Sequence, residues 1–599
     1  MSETTTQKKG LLANAFASSR WDSRIKSANT TRKEMWLGYV IGPFGMLMGQ
    51  SIVNSYFNQY LTDVIGFTVN KAAWIATFMV LFPILSKLID AVTNIVMGNI
   101  IDSTVCRQGK VRPWMLISAP FVCISIMLLF WMPVQGTLTQ AIWVIVTYNI
   151  YYSVCYTMWN MSKELSAALS TSNPNQRKNN SMALTIVANV GTGFVSILFP
   201  TILTAICAAV NGDNATGYFL AMSMIGIIAI PLTFVQYFYT RERVTEERRA
   251  HTVEAGAQAQ AVRAEASIWT QLRACLKDKY WVLFIAVMLV ANICANLRNI
   301  SLVYYSGWVV NGNAYGSYAT IQAKFQMIAL SPMGPGILLL LPAIKKWGRK
   351  QCCWVGATLC IAGSALAYAN AGSSMMIYMG TALGAIGTLF FNYTMPSYLG
   401  DVIDHVEDKT GVRCDGISGS FYSAVMMFAV GIAQGIFNLG LMLTNYAQPV
   451  AIGTSETGVT LYADQTAAAT RWINFSYQGS YIVLGAVIFV VFLFFFDLEK
   501  YLPDVVRRLQ EKRKAECEAL GIEYITAEEK QRREIEEGEA KAEAIRIKEL
   551  KEECAKKGLD FDTENQKVLD KRAAKAAKAQ AKADKKAAKA AKKAVKKDK

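Results

Sequence analysis

Apolar residues along this chain come in long blocks rather than in alternation. Between Trp36 and Leu498 the sequence runs in mostly apolar stretches of 20 or more residues, parted by short polar connectors. A helix needs ~20 apolar residues to cross ~30 Å of hydrocarbon. The pattern predicts twelve such spans, at 36–62, 73–101, 114–134, 140–162, 181–206, 217–239, 280–306, 322–344, 352–371, 375–400, 417–445 and 473–497. The expected fold class is therefore an all-α, multi-pass membrane protein. Composition agrees: 599 residues are 53% hydrophobic, whereas a soluble chain of this length would divide into several cores and carry far more charge.

The connectors differ in charge. Those after the even-numbered spans hold "CRQGKVR", "NPNQRK", "RERVTEERR", "KKWGRK" and "DKTGVR", whereas "VQGTLTQ" and "NGDNATG" among the odd-numbered ones hold no Lys or Arg. Basic loops stay on the cytoplasmic side, which predicts cytoplasmic termini and a place in the plasma membrane. The connector at 240–279 is the longest internal one and divides the chain into helical halves at 36–239 and 280–499, flanked by tails at 1–35 and 500–599. A weak repeat joins the halves: "CRQGKVRPW" follows span 2, "KKWGRKQCCW" follows span 8, and Gly109 and Gly348 hold equivalent places. Parallel repeats of this kind organise major-facilitator transporters, with substrate bound between two six-helix bundles near the midplane. The plainer alternative is that any cytoplasmic turn gathers Gly, Lys and Arg.

The ends add a little more. No short apolar core with a small-residue cleavage site stands in the first 35 residues, so no cleaved signal peptide is expected. Residues 500–570 mix Glu, Lys and Arg, and 571–599 hold thirteen basic and two acidic residues, net +11 out of +17. Such a tail reads as helical or disordered, touching anionic lipid headgroups. Without aromatics or a folded reader it is not expected to bind nucleic acid. Twelve cysteines scattered through apolar blocks suggest packed thiols. Both histidines, His251 and His405, lie in polar connectors, and no zinc, phosphate-loop or nucleophile motif is present, so neither enzyme nor cofactor is expected.

Candidate chemistry lies within the spans. In "SKLIDAVTNIVMGNIID" Asp90 stands where almost nothing else is charged, and an ionisable group inside a membrane costs a few kcal/mol. Thr93 and Asn94 follow at i+3 and i+4, on the same face. Carboxylate, hydroxyl and amide oxygens are hard ligands suited to a proton, Na⁺ or Li⁺; a satisfied structural Asp is the alternative. Span 4 places Asn149, Ser153, Tyr156 and Asn160 on one face, and span 7 carries Asn292, Asn296, Arg298 and Asn299, then Tyr304, Tyr305 and Trp308. Amides bond hydroxyls in pairs and aromatic faces take the C–H side of sugar rings, which suits a neutral polyol. For most of the Tyr and Trp residues, belt or packing roles are the better expectation. Arg298 is open to three roles: snorkelling, pairing with Asp90, or bonding substrate.

"KLIDAVTNIVMGNIIDSTVCRQGKVRPW", "SNPNQRKNNSMALTIVANVG" and "GDVIDHVEDKTGVRCDGI" resemble, in order and position, the signatures of the glycoside–pentoside–hexuronide cation symporters, the melibiose-permease-like family. The likeness runs over all twelve spans. It implies a major-facilitator fold and sugar uptake coupled to H⁺, Na⁺ or Li⁺. The family's first span-2 cation carboxylate matches Asp90, its second falls on Asn94, and its helix-4 threonine matches Thr157. The sugar-binding acids fall on Asn160 and Leu47, with Gln50 near the latter; the helix-5 arginine falls on Leu184 and the helix-11 lysine near Met427. These departures argue against melibiose-type galactoside specificity and against sodium.

The resulting expectation is a secondary transporter that imports a sugar by cation symport, H⁺ favoured over Na⁺, with Asp90, Thr93, Asn94 and Thr157 as coupling residues. Gln50, Asn149, Tyr156, Asn160, Asn296 and Arg298 are expected to bind substrate. Its partners are a small sugar, a monovalent cation and the bilayer, and a monomer is expected. The alternatives are a related carrier of lysolipid-like amphiphiles and a non-transporting membrane sensor.

Overall fold

In a computed structural model, residues 14–570, 572–574 and 577 are described, apart from 28, 69–70, 105, 172, 247–267, 313, 315–317, 333–335, 337–339, 341, 345, 413, 456–459 and 520–526. The chain is helical nearly throughout. The helices are α1 (Glu34–Val64), α2 (Ala73–Ser103), α3 (Arg112–Leu129), α4 (137–168), α5 (174–209), α6 (Asn214–Phe238) and α7 (Lys279–Val310). Next in the chain come α8 (Tyr318–Leu330), α9 (Arg349–Ala369), α10 (Ser374–Thr410), α11 (Asp415–Leu443), α12 (Ala467–Phe495), α13 (Leu498–Ala519) and α14 (Ala527–Lys557).

Among the described residues, nine helices are long and apolar enough to cross a membrane: α1, α2, α3, α6, α7 and α9 to α12. Of the other three predicted spans, α4 is long but rich in polar residues, and α5 has its apolar part at Gly193–Ala209. Of the span at 322–344, residues 333–335, 337–339 and 341 lie outside the described residues. Several helices outrun their apolar blocks. Asn173 accepts from the amides of Asn175 and Gln176, so "NPNQRK" is the first turn of α5 and not a connector. α10 likewise continues to Thr410, carrying His405 into a helix.

The largest buried cluster draws almost wholly on α1 to α6, and a second on α7 and α9 to α12. Among the described residues, the most extensive pairings between the two groups are α1 with α7, α2 with α11, and α5 with α8. At the second, Pro83 has no N–H to give the carbonyl four residues back, and Asn438 of α11 donates to that Met79 oxygen at 3.0 Å. Gly431 and Gly435 let α11 approach: a Cβ on Gly431 would come 2.8 Å from the Pro83 oxygen, and one on Gly435 2.9 Å from the Val80 oxygen.

The two turns singled out by the repeat have related geometry. Gly109 and Gly348 both adopt positive φ, +114° and +82°. Glu242, after α6, accepts from the amides of Lys110, Val111 and Arg112 at the start of α3 (2.8–3.0 Å). Glu499, after α12, accepts from Arg349 at the start of α9 (3.3 Å). The connector at 240–279 has a short helix at Ile268–Lys277, and part of it, with His251, lies outside the described residues. No disulfide joins any of the twelve cysteines, all of which lie among the described residues.

Two features were not expected. A hairpin, with an exposed β1 (Ala451–Thr454) and a half-buried β2 (Thr460–Tyr462), stands between α11 and α12. The tail is also tied to the helical body. Arg508 and Arg513 of α13 pair with Asp408 and Glu407 of α10 at 2.5 and 2.7 Å, and Asn29 donates to the Ala542 carbonyl of α14 at 3.5 Å. Most of the basic stretch 571–599, with its expected headgroup contacts, lies outside the described residues.

Candidate functional site

α4 is not a uniform α-helix. Residues Ile150–Tyr156 form a π-helical segment, and such segments occur often at functional positions. The wider turn shifts the register of the next residues along the helix: the Thr157 hydroxyl bonds the Tyr152 carbonyl, five residues back, at 3.0 Å. It also brings Tyr151, Tyr152 and Ser153 to the interior, facing α1 and α2.

Asp90 is buried, 2% exposed, on α2. It does not stand alone. Lys87, one turn earlier and also buried, places its ammonium 2.6 Å from Asp90 Oδ2. Ser153 donates to the other carboxylate oxygen, Oδ1. The lysine ammonium lies over the ring of Tyr152, 4.2 Å from its centroid, and 5.8 Å from that of Tyr148. A buried ion pair needs such additional contacts, because Coulomb attraction alone does not offset desolvation of both charges.

The other expected coupling residues point elsewhere. Thr93 bonds the carbonyls of Ile89 and Asp90 at 3.1 and 3.0 Å. Asn94 donates to the Asp90 carbonyl at 2.8 Å and to the sulfur of Met427 on α11 at 3.7 Å. Neither reaches the Asp90 carboxylate, and Thr157 is taken up by its own helix.

On the far side of Tyr152 lies a cluster of neutral polar groups. The Tyr152 hydroxyl donates to Asn54 Oδ1 at 2.5 Å, Gln50 Nε2 donates to the same oxygen at 3.2 Å, and the Tyr151 hydroxyl donates to Gln50 Oε1 at 3.3 Å. Asn54 is exposed although both its neighbours on α1 are buried. Tyr152 thus touches the ion pair with its face and this cluster with its hydroxyl.

Of the expected substrate residues, Gln50 belongs to the cluster. Asn149 bonds Ser86 and accepts from Ser153, both at 3.3 Å, which places it beside the ion pair. Tyr156 and Asn160 are half-buried further along α4, with Tyr156 packed between Tyr151 and Trp159. Asn296 is turned to its own helix, donating to the Asn292 carbonyl at 2.8 Å. Arg298 faces α12: it lies between the rings of Tyr477 and Tyr481, 4.3 Å from each, and donates to the Tyr477 carbonyl at 3.2 Å. It neither snorkels nor meets Asp90. Leu47 and Leu184 are buried in apolar packing. Tyr304, Tyr305 and Trp308 are buried too, as packing predicts.

Beyond the cluster, toward the C-terminal end of α1, the helix groups are bonded together. Tyr304 of α7 shares a hydrogen bond with Thr62 at 2.7 Å and accepts from Asn58 at 3.0 Å. Tyr446 donates to Asp63 at 3.0 Å and Gln322 of α8 to the Tyr56 hydroxyl at 2.6 Å.

The residues that sequence spacing missed are Lys87, Asn54 and Tyr152. Lys87 had a signal, an opposite charge at i−3 from Asp90. Asn54 and Tyr152 had none beyond being polar inside apolar blocks.

Comparison with known proteins agrees with this architecture. Residues 38–500 match the family model described as "MFS/sugar transport protein". An isoprimeverose transporter of Lactiplantibacillus pentosus is 26% identical over 480 residues, 79% of this chain and 90% of that one. A protein of Escherichia coli (strain K12), provisionally named a glycoside/cation symporter, is 25% identical over 410 residues, 66% of this chain and 81% of its own. A crystal structure of the peptide transporter POT in complex with sulfate superposes with a TM-score of 0.50 at 10% identity, covering 80% of this chain and 97% of the other; that likeness concerns the fold alone.

Proposed function

We propose, from the premise that this chain belongs to the MFS/sugar transport protein family, that it imports a neutral sugar or glycoside by cation symport. As a member of that family it is a transporter and not an enzyme, and its several apolar helices make it a multi-pass membrane protein. The observation that carries the finer reading is the position of Tyr152, whose ring covers the Lys87–Asp90 pair while its hydroxyl joins Asn54 and Gln50. Uncharged amides and phenols suit sugar hydroxyls, and they stand one residue away from a titratable carboxylate. The relatives' printed names, an isoprimeverose transporter and a glycoside/cation symporter, support the substrate class.

In this reading twelve spans form two six-helix halves, 36–239 and 280–499, with cytoplasmic termini. The two buried clusters, the paired turns at Gly109 and Gly348, and the i to i+6 relation between the α2–α11 and α8–α5 contacts support that division. The bonds from Tyr304, Tyr446 and Gln322 to α1 then tie the two halves together on the outer side.

The coupling ion is H⁺ in preference to Na⁺, and Asp90 carries it. With Asp90 ionised, the pair with Lys87 is neutral and the empty carrier can reorient. Protonation of Asp90 frees Lys87, so the loaded carrier moves one net positive charge inward. A potential of 100 mV then supplies ~2.3 kcal/mol, about a fiftyfold sugar gradient by the usual conversion. The test is Asp90→Asn in proteoliposomes. Accumulation should be abolished while sugar exchange continues; accumulation at the unmodified level in that variant would refute the assignment. The chemistry of the cluster favours sugars over amphiphiles, since Gln50, Asn54 and Tyr152 offer amide and hydroxyl groups that bond one another and suit sugar hydroxyls.

A further inference from the structure

We infer that Lys87 is a tethered cation that fills the position a metal ion would take beside Asp90, and that this one residue excludes Na⁺ and Li⁺ from the site. The inference rests on the reading of Asp90 as the coupling group and adds to it the determinant of ion choice.

The geometry is that of an occupied cation site. The Asp90 carboxylate has two oxygens; the Lys87 ammonium takes Oδ2 at 2.6 Å and the Ser153 hydroxyl takes Oδ1. The ammonium also has the Tyr152 ring at 4.2 Å, a contact that favours cations. Three features hold it there. Lys87 is 5% exposed. A Cβ on Gly431 of α11 would come 2.9 Å from Lys87 Cγ, so the stem is pinned between the two helices. The helical repeat puts Lys87 and Asp90 on one face of α2, which allows the pair to form without bending the backbone.

Among the described residues, the neighbours supply no second charge. α4 contributes Tyr148, Asn149, Tyr152 and Ser153, and α11 contributes Gly431 and, one turn further along α2, Met427 beside Asn94. Among the described residues, Lys87 is the only cation paired with Asp90. A metal ion entering here would meet a like charge within contact distance and would have to displace an ammonium that needs no dehydration to stay. A proton meets the same charge but needs no coordination shell: it adds to one carboxylate oxygen, breaks the contact with Lys87 and leaves the ammonium to the Tyr152 ring. Removing the ammonium alone leaves a buried carboxylate with the Ser153 hydroxyl and, bonded to that hydroxyl, the Asn149 amide oxygen, hard ligands for a small monovalent cation.

The experiment compares melting of the purified full chain in NaCl, LiCl and choline chloride at equal ionic strength, for the wild type, Lys87→Gln, Lys87→Met and the double variant K87Q/D90N. A ligand that binds only the folded state raises Tm with its concentration. The wild type should melt alike in all three salts. K87Q and K87M should gain a Tm that climbs with NaCl or LiCl and not with choline chloride, and the double variant should lose that gain. A variant recoverable only in NaCl or LiCl counts as the same response. A wild type stabilised by NaCl over choline chloride overturns the inference, as does indifference of both lysine variants to the salt, or failure of both to fold in every salt. No sugar enters the measurement, so a failure to find glycoside uptake would count against the proposed function and leave this result to stand by itself.

Discussion

At the scale of single residues, the proposed function turns on which polar groups share the interior of α1, α2 and α4. Asp90 was legible in the sequence because charge is rare in an apolar block. Its surroundings were less so, for two physical reasons. Side chains next to a carboxylate in sequence can spend their hydrogen bonds on their own helix, as Thr93 and Asn94 do with nearby carbonyls. A face drawn at 3.6 residues per turn also fails across the π segment of α4, which turns Thr157 to the Tyr152 carbonyl and aims Tyr152 at Lys87 and Asn54. If Asn54 and Gln50 bond sugar hydroxyls, Asn54→Leu should raise the KM for glycoside uptake at least tenfold, the loss of one or two hydrogen bonds. It should leave Tm within a few degrees, since Asn54 is exposed. An unchanged KM would place the sugar elsewhere.

At the scale of elements, apolar blocks located the helices and underestimated their ends. Hydropathy measures the stretch that lies in hydrocarbon, whereas a helix continues while caps and ion pairs satisfy its termini. α10 does so to Thr410, where Gly411 adopts φ +72° and ends it. Asp278 caps α7 through the amides of Tyr280 and Trp281, both at 3.0 Å, and receives His405 of α10 at 2.7 Å. Burial pushes the pKa of this carboxyl up, but the His405 and amide bonds outweigh it and hold Asp278 below the usual carboxylate range. A depressed folded-state value means that the contribution to stability is complete above the unfolded value, near 4, and fades as pH falls through the lower folded one. Asp278→Ala should therefore lower Tm at neutral pH, a cap being worth about 1 kcal/mol, with the gap to wild type narrowing only in acid. A second prediction concerns the α2–α11 crossing. Gly431→Leu would drive a side chain into the Pro83 carbonyl and the Lys87 stem. It should cost about 1–3 kcal/mol of stability and reduce uptake more than Gly400→Leu, where a Cβ meets nothing within 4 Å.

At the scale of the whole molecule, the family and the helical class were readable from three motifs in register and from the spacing of apolar blocks. The tail was not. A run of Glu, Lys and Arg on a helix reads as solvated, and only the partners decide whether it is held. Here Arg508 and Arg513 find Asp408 and Glu407 on α10, while Val505 and Leu509 are buried beneath them. Truncation after Ala519 keeps that seam and should leave most of the uptake; loss of all transport would favour a sensor that signals through its tail. The proposed symport rests on one coupling group for one proton. Glycoside uptake into proteoliposomes, driven in turn by an imposed pH gradient, an imposed Na⁺ gradient and neither, tests it most directly. Accumulation under the pH gradient alone is the predicted result. Accumulation that requires Na⁺ would mean that a metal ion enters beside Asp90 in spite of Lys87, and would contradict it.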